Sequence, residues 1–312
     1  RFTGEFEAPE TEQVEIKLSG NDAFRLFIGD EKVAEVWENE YGAEKTYMLN
    51  AEKGKKYPVK IEYMQRTGSA DLNFQIGTRR PVDYAATAAK VKDADVIVYV
   101  GGISPRLEGE EMPVSKDGFD GGDRTTIALP AVQTQMMKAL VAEHIPTVFV
   151  MMTGSALAIP WEAQNVPAIL NAWYGGQYGG EAIADVLFGD YNPSGKLPVT
   201  FYAQDSDLPD FESYDMQGRT YRYFNGKALY PFGYGLSYTS FAYSSLKLPK
   251  VCRTTDKEIE VTVTVKNTGH TEGEEVVQLY VSHPDKKILV PLTALKGFKR
   301  IQLKAGEAQR VT

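Results

Sequence analysis

Ala94-Asp95-Val96-Ile97-Val98-Tyr99-Val100-Gly101-Gly102 is the stretch that decides the fold: an apolar run of strand length that stops at a glycine pair. Strands of a parallel sheet are covered on both faces, so they read as continuous apolar runs and not as alternating ones. The form returns in Thr147-Val148-Phe149-Val150-Met151-Met152 before Thr153-Gly154. It returns again in Ala168-Ile169-Leu170-Asn171-Ala172-Trp173, shortly before Gly175-Gly176. Helical segments separate these runs. Residues 82–91 are Ala-rich, a helix starting near Pro130 carries Val132, Met136, Leu140 and Val141 on one stripe, and another covers residues 180–188. The alternation predicts an α/β sheet.

On either side of this block the period changes to two. Before it, Val14, Ile16 and Leu18, then Phe24, Leu26 and Ile28, alternate with polar residues between the turn signals Gly20-Asn21-Asp22 and Gly29-Asp30. Residues 56–63 and 70–76 continue the pattern, joined by Arg66-Thr67-Gly68-Ser69. After it, Ile259, Val261, Val263 and Val265 lead through Asn267-Thr268-Gly269 to Val277, Leu279 and Val281. The predicted fold class is multidomain α/β plus β. It has a partial β-sandwich segment at 1–78, an α/β sandwich with a mostly parallel sheet at 79–240, and a second β-sandwich at 241–312. That last segment is expected to be truncated, because Ala305-Gly306-Glu307 turns the chain toward a further strand just before Thr312.

The 312 residues are 43% hydrophobic and 24% charged, enough for two or three cores. A net charge of −8 without a basic run excludes a phosphate-binding surface, so no nucleic acid partner is expected. No stretch approaches the roughly 20 apolar residues of a membrane-spanning helix. Cys252 is the only cysteine, and His144, His270 and His283 are scattered, which predicts neither a disulfide framework nor a metal site. The chain starts at Arg1 and carries no signal-peptide pattern, so its ends are expected to be cuts.

In open α/β sheets ligands bind outside the carboxyl ends of the strands. The first such loop here, residues 101–129, is far longer than the roughly two to six residues usual for a strand-helix connection, and long loops are commonly functional. It gathers Arg106, Glu108, Glu110, Glu111, Asp123 and Arg124. Carboxyl groups crowded against an apolar wall hold their protons more tightly, as a general acid near neutral pH requires. A solvated acidic loop is the plain alternative. Gly101-Gly102 has neither a dinucleotide fingerprint nor a Gly-Lys-Ser/Thr sequence, so no nucleotide or other cofactor is expected. Trp173, Tyr174 and Tyr178 could stack on sugar C–H faces, with core packing the equal alternative for Trp173.

Two longer stretches carry a resemblance. Asp190-Tyr191-Asn192-Pro193-Ser194-Gly195-Lys196-Leu197-Pro198-Val199-Thr200-Phe201 and Tyr230-Pro231-Phe232-Gly233-Tyr234-Gly235-Leu236-Ser237-Tyr238-Thr239-Ser240-Phe241 resemble signature stretches in the C-terminal half of family 3 glycoside hydrolases. Tyr221-Arg222-Tyr223-Phe224 and Leu295-Lys296-Gly297-Phe298-Lys299-Arg300 are similar to sequences around that family's fibronectin type III-like appendage. Residues 24–33 resemble the β-sandwich named for anthrax protective antigen, although Gly20-Asn21-Asp22 stands where sugar-binding relatives pair aspartates on calcium.

The resemblance implies a retaining β-glycosidase, of the β-glucosidase or β-xylosidase type, acting at nonreducing ends and built from two carboxylates on two domains. A barrel aspartate is the nucleophile and a glutamate of the α/β sandwich is the acid/base, with the two carboxyl groups roughly 5–5.5 Å apart. Its glutamate-glycine-spacer-Asp-Arg pattern falls on residues 108–124. The implied acid/base is Glu110, with Glu111 and Glu108 next. Arg106, Asp123, Arg124 and Trp173 are the implied substrate-side residues, Asp123 and Arg124 bracing the loop. No segment resembles the barrel, and Ser206-Asp207-Leu208 is a superficial echo of the nucleophile motif. The expected partners are therefore an oligosaccharide or aryl glycoside and an N-terminal barrel of the same polypeptide. The expected location is secreted or periplasmic. A non-catalytic carbohydrate-binding or structural fragment is the rival reading.

Overall fold

The computed structural model describes residues 1–109, 111–112, 114–253, 255–283 and 289–312. They form two compact units, Arg1–Asp83 and Tyr84–Thr312.

In the first unit β1 (Phe2–Glu7), β2 (Glu12–Ile28), β3 (Glu31–Ala51), β4 (Lys56–Met64) and β5 (Leu72–Gly77) form one antiparallel sheet. Its order is β1-β4-β2-β3, with β5 also on β2. β2 changes partners along its length: residues 15–20 pair with β5 and residues 23–28 with β4, while β3 follows it throughout. Gly20-Asn21-Asp22, predicted as a turn between two strands, is a register shift inside this single strand, with Asp22 at φ 66°. Residues that favour turns also favour bulges, and a bulge bends a strand without ending it. The two halves of β2 then share one core. Ile16 and Leu18 from one half and Phe24 and Leu26 from the other are fully buried with Leu49 and Ile61, each burial stabilising by about 1.5–3 kcal/mol.

The bend also buries Asn21 and Asp22, and both find partners. Asn21 Nδ2 donates to Ser69 O at 2.9 Å, and its Oδ1 accepts from Gly42 N at 3.2 Å. The Asp22 carboxylate accepts the backbone N–H groups of Arg66 and Thr67, which hold it below the usual carboxylate range. Its oxygens are thus engaged by the 66–69 turn.

The second unit begins with α1 (Tyr84–Ala88) and β6 (Ile97–Gly102). A small ribbon follows, of β7 (Ser115–Lys116), β8 (Phe119–Asp120) and β9 (Asp123–Arg124). Then come α2 (Ala131–Ala142), β10 (Thr147–Met152), α3 (Pro160–Asn165), β11 (Ala168–Asn171), α4 (Gly179–Phe188) and the helical turn α5 (Thr220–Tyr223). The sheet is parallel in the order β11-β10-β6. Its core holds Phe149, Met151, Met137, Leu157, Ile159 and Phe201. α2 turns Met137 and Leu140 inward while Val132 is half exposed, so the buried stripe lies one position round from the predicted one. β6 also departs from its prediction. Ile97 is buried, but Val96, Val98 and Val100 are 52%, 48% and 63% exposed. Among the described residues, α1 and α2 cover one face of that strand and the other face is open.

The chain ends in β12 (Phe241–Lys247), β13 (Thr262–Asn267), β14 (Gly273–Val281), β15 (Ala294–Leu303) and β16 (Ala308–Val311). The sheets β12-β13-β16 and β14-β15 enclose Val265, Val277, Ile301, Leu303 and Val311. Ile259 and Val261 precede β13 and lie outside it.

The two long signature stretches join this sandwich to the α/β body. They pair with each other through Leu197 N to Tyr234 O at 2.8 Å and Phe201 N to Tyr230 O at 2.9 Å. Their polar residues then reach the sandwich. Tyr191 Oη and Ser194 Oγ donate to Glu274 Oε2 at 2.8 and 3.1 Å, and Lys196 Nζ lies 3.2 Å from Glu275 Oε2. Asn192 Oδ1 accepts from Ser237 Oγ and Tyr238 N at 2.9 and 2.8 Å. Tyr191, Asn192, Ser194 and Lys196 of the first motif thus each have defined partners across the joint.

Candidate active site at the carboxyl ends of the parallel strands

The long loop starts where β6 meets β10. Gly102 has φ 116° and is held at both backbone groups by one side chain: its N–H donates to Gln133 Oε1 at 2.7 Å and its carbonyl accepts from Gln133 Nε2 at 2.6 Å. Ile103 N donates to Met152 O at 2.9 Å. One helical turn follows, in which Ser104 O accepts from Leu107 N and Glu108 N at 2.9 and 3.1 Å. Past Met112 the chain forms the β7-β8-β9 ribbon, whose Phe119 is buried in the α/β core. The loop is therefore a folded cap with its own apolar anchor.

Among the described residues, Glu108 is the best-connected carboxylate of the cap. Ser155 Oγ donates to Glu108 Oε1 at 2.8 Å, Arg124 Nη1 lies 3.8 Å from the same oxygen, and the Tyr174 phenol stands near enough to feel the carboxylate's charge. Burial raises the pKa of that hydroxyl, and the neighbouring Glu108 charge adds to the effect. Arg124 is largely buried on β9. Its Nη1 donates to Ser155 Oγ at 2.7 Å and to Ala156 O at 3.1 Å, and its Nε donates to Thr126 O at 3.2 Å. Burial pushes the guanidinium pKa down, opposed first by Glu108 and then by Asp205. Asp205 closes the far end of the cap. Its carboxylate accepts Thr126 Oγ1 at 2.6 Å and Ile127 N at 2.7 Å, and these bonds hold it below the usual carboxylate range.

The remaining sequence candidates are spread out. Glu110 lies outside the described residues. Glu111 is exposed with a left-handed φ of 51°, and Arg106 is exposed on the turn after Ser104. Asp123 is exposed, its backbone paired with Asp120 in the ribbon. Trp173 is half-buried, edge-on to Phe201 at 6.2 Å between ring centroids, and packs against the α/β core. Its φ of 54° turns the chain, and the neighbouring Tyr174 ring lies against Gly154. Asp207 accepts Ala203 N at 3.0 Å, a local cap.

Ser155 and Asp205 are the residues that sequence reasoning passed over, and Tyr174 was read only as a sugar-stacking ring. Thr153-Gly154 offered a signal for Ser155: its loop leaves a parallel strand at the same edge as Gly101-Gly102, so its polar residues belong to the same site. Nothing local marks Asp205, which arrives from beyond the sheet. The loops after β6, β10 and β11 thus converge on one carboxylate, with two further glutamates next to it in sequence and a rigid apolar floor beneath.

Comparison with known proteins agrees with this geometry. Residues 11–238 match the Glycosyl hydrolase family 3 C-terminal domain, and residues 275–312 match the Fibronectin type III-like domain. A "Xylan 1,4-beta-xylosidase" of Xylanibacter ruminicola is 42% identical over 98% of the chain, which spans 35% of that relative. A "Periplasmic beta-glucosidase" of Salmonella typhimurium is 41% identical over 74% of the chain, which spans 30% of it. The crystal structure of a beta-glucosidase from Kluyveromyces marxianus superimposes with a TM-score of 0.73 at 30% identity, covering 99% of this chain and 38% of that one. The chain spans about a third of the length of these relatives.

Proposed function

The chain belongs to glycosyl hydrolase family 3, and from that premise we propose that it is the acid/base-bearing part of a retaining, exo-acting β-glycosidase that removes β-linked glucose or xylose from nonreducing ends. The nucleophilic aspartate then comes from a barrel in the part of the relatives that this chain does not span. The observation that carries the reading is the cap after β6, tied to the loop after β10 by Glu108, Arg124 and Ser155. Glu108 accepts hydrogen bonds there and serves as the anchor. Glu110, two residues on, is the acid/base, and Glu111 is the nearest substitute. Arg106, Asp123 and Arg124 belong to the rim and bracing of the site, and Trp173 to its floor.

The names of the relatives support both a β-xyloside and a β-glucoside substrate, and the Salmonella relative supports an exported protein. The domains proposed from the sequence, 1–78, 79–240 and 241–312, stand beside the structural division between Asp83 and Tyr84. The first is proposed to be a protective-antigen-like sandwich.

The test uses this chain joined to the N-terminal part present in its relatives. Glu110→Ala, Glu111→Ala and Glu108→Ala are compared on activated and unactivated aryl β-xylosides and β-glucosides, with azide. Loss of an acid/base spares the first step for good leaving groups and is rescued as a glycosyl azide of retained configuration. Glu110→Ala alone is expected to show this. The same pattern at another of the three moves the assignment to that residue, and its absence from all three removes the acid/base from this loop.

A further inference from the structure

The joint between the α/β body and the C-terminal sandwich leaves a cleft of about 630 Å³, within the roughly 300–1,000 Å³ of small-ligand sites. Its lining comes from the two signature stretches and α5 on one side and from β12 and β14 on the other. Among the described residues, none of the cap lines it. One group of lining residues is aromatic. Tyr221 stacks on Phe232 with ring centroids 4.2 Å apart, and Tyr280 meets both edge-on at 6.2 and 6.4 Å. Their hydroxyls are tied: Tyr221 Oη accepts from Leu295 N at 3.2 Å, and Tyr280 Oη donates to Gln278 Oε1 at 2.5 Å. Gln278 Nε2 donates in turn to Gly233 O at 3.0 Å. Gly233, at φ 80°, makes room for that side chain, since a Cβ there would stand 2.3 Å from Gln278 Oε1. The aromatic wall is thus fixed before any ligand arrives.

A second group is polar. Lys196 Nζ donates to Gly235 O at 3.0 Å and lies 3.2 Å from Glu275 Oε2, while Tyr243 Oη donates to Glu275 Oε1 at 2.8 Å. Both charged side chains are largely buried. These bonds occupy two of the three ammonium donors and one lone pair on each carboxylate oxygen, so a donor and acceptors are left over. Thr200 adds to them: the residue is 7% exposed, and its Oγ1 is buried with no partner among the described residues. A buried hydroxyl without a partner is a standing cost to the fold.

This lining selects a class of ligand. Lys196 and Glu275 are its charged residues and cancel each other, so the cleft has no net charge with which to hold an ion. A ligand that meets a donor beside an acceptor must itself donate and accept, which a hydroxyl does with one atom. A pyranose adds an apolar C–H face suited to an aromatic ring. We propose that this cleft is a second carbohydrate site. It takes a neutral oligosaccharide, stacking a sugar ring on its aromatic wall and bonding hydroxyls to Lys196, Glu275 and Thr200. The site is argued from its own lining; only the choice of xylose and glucose units as probes rests on the function proposed above.

The test is isothermal titration calorimetry of xylobiose, cellobiose and maltose into the 312-residue chain, since the cleft lies wholly within the unit Tyr84–Thr312. Saturable binding of xylobiose or cellobiose is expected. Tyr234 also lines the cleft, and its backbone carbonyl accepts from Leu197 N whatever its side chain. Tyr234→Ala is expected to weaken binding about tenfold, near the most that one aromatic contact contributes. Thr200→Val is expected to weaken it about fivefold, the factor for one neutral hydrogen bond. Its Tm should not fall, because the free protein loses only an unbonded hydroxyl. Glu108→Ala, in the cap, is expected to leave the titration unchanged. No saturable heat with any of the three sugars overturns the proposal, and so does unchanged affinity in both cleft variants. Binding lost in Glu108→Ala and kept in Tyr234→Ala puts the sugar at the cap and overturns it as well. Binding of maltose through Tyr234 and Thr200, with neither xylobiose nor cellobiose bound, keeps the cleft as a sugar site and counts against the substrate class proposed above.

Discussion

Gly102→Ala tests whether the base of the cap depends on a close approach of backbones. Gly102 has φ 116°, and a Cβ placed there would lie 1.8 Å from the carbonyl oxygen of Met152. That oxygen accepts from Ile103 N at 2.9 Å, and both backbone groups of Gly102 are bonded to Gln133. Holding a non-glycine residue at such a φ costs about 1–3 kcal/mol. Prising the ends of β6 and β10 apart to admit a methyl group costs about 1–3 kcal/mol more. The middle of the two ranges is about 4 kcal/mol. For a unit of this size each kcal/mol lowers Tm by about 2–4 °C, giving a drop of about 8–16 °C. The assay is calorimetry on the chain, following the transition of the unit Tyr84–Thr312. Gly121→Ala is the control, since its φ is also positive, at 59°, but nothing lies within 4 Å of the added carbon. Its expected cost is about 1 kcal/mol, from backbone strain alone. Equal transitions for the two variants would refute the steric account of Gly102 and leave only its φ.

Phe201→Ala is expected to cost about 3–5 kcal/mol in urea unfolding. The ring is 1% exposed and meets Trp173 and Tyr230 edge-on at 6.2 and 6.3 Å, so its removal opens a void under the site; a loss below about 1 kcal/mol refutes that packing. Tyr243 gives a pH dependence with a definite sign. Burial first, and then its hydrogen bond to Glu275 at 2.8 Å, push its phenol well above the ordinary value. The folded state therefore favours the protonated phenol, and the resulting stability is present below about pH 10 and lost as pH rises beyond it. Tyr243→Phe is expected to flatten the fall in Tm above pH 10, and an unchanged slope counts against the assignment.

The three parallel strands are legible in the sequence because an apolar run closed by glycine has few other readings, and the signature stretches because several of their polar residues are held by the joint between α/β body and sandwich. Other features depend on partners that no local window contains. Gly20-Asn21-Asp22 carries the chemistry of a turn, and only the pairing of β2 with β4, β3 and β5 makes it a bulge. Val98 and Val100 read as doubly covered, whereas the described residues cover one face of β6. Trp173 and Tyr174 are adjacent aromatic residues after one strand, and a reader of the sequence favours the larger ring for the ligand. The φ of 54° at Trp173 sends the indole to Phe201 and leaves the Tyr174 ring against Gly154.

The three glutamates show why spacing alone could not rank them. Glu108, Glu110 and Glu111 share one loop and one composition, and what separates Glu108 from the exposed Glu111 is the Ser155 hydroxyl brought to it by the loop after β10, with the Arg124 guanidinium 3.8 Å away. A carboxylate engaged in this way is suited to hold a loop and less suited to hand a proton to a leaving group. An acid/base needs the reverse: a carboxyl with a free edge, on a backbone that does not drift by even an ångström between its two proton transfers. In the proposed reading the cap divides the two requirements: Glu108 fixes the turn, and a neighbouring glutamate carries the chemistry. The division also accounts for the length of the loop. A short strand-helix connection could present a glutamate, but it could not anchor one on Ser155, bury Phe119 and return to Asp205 before α2 begins.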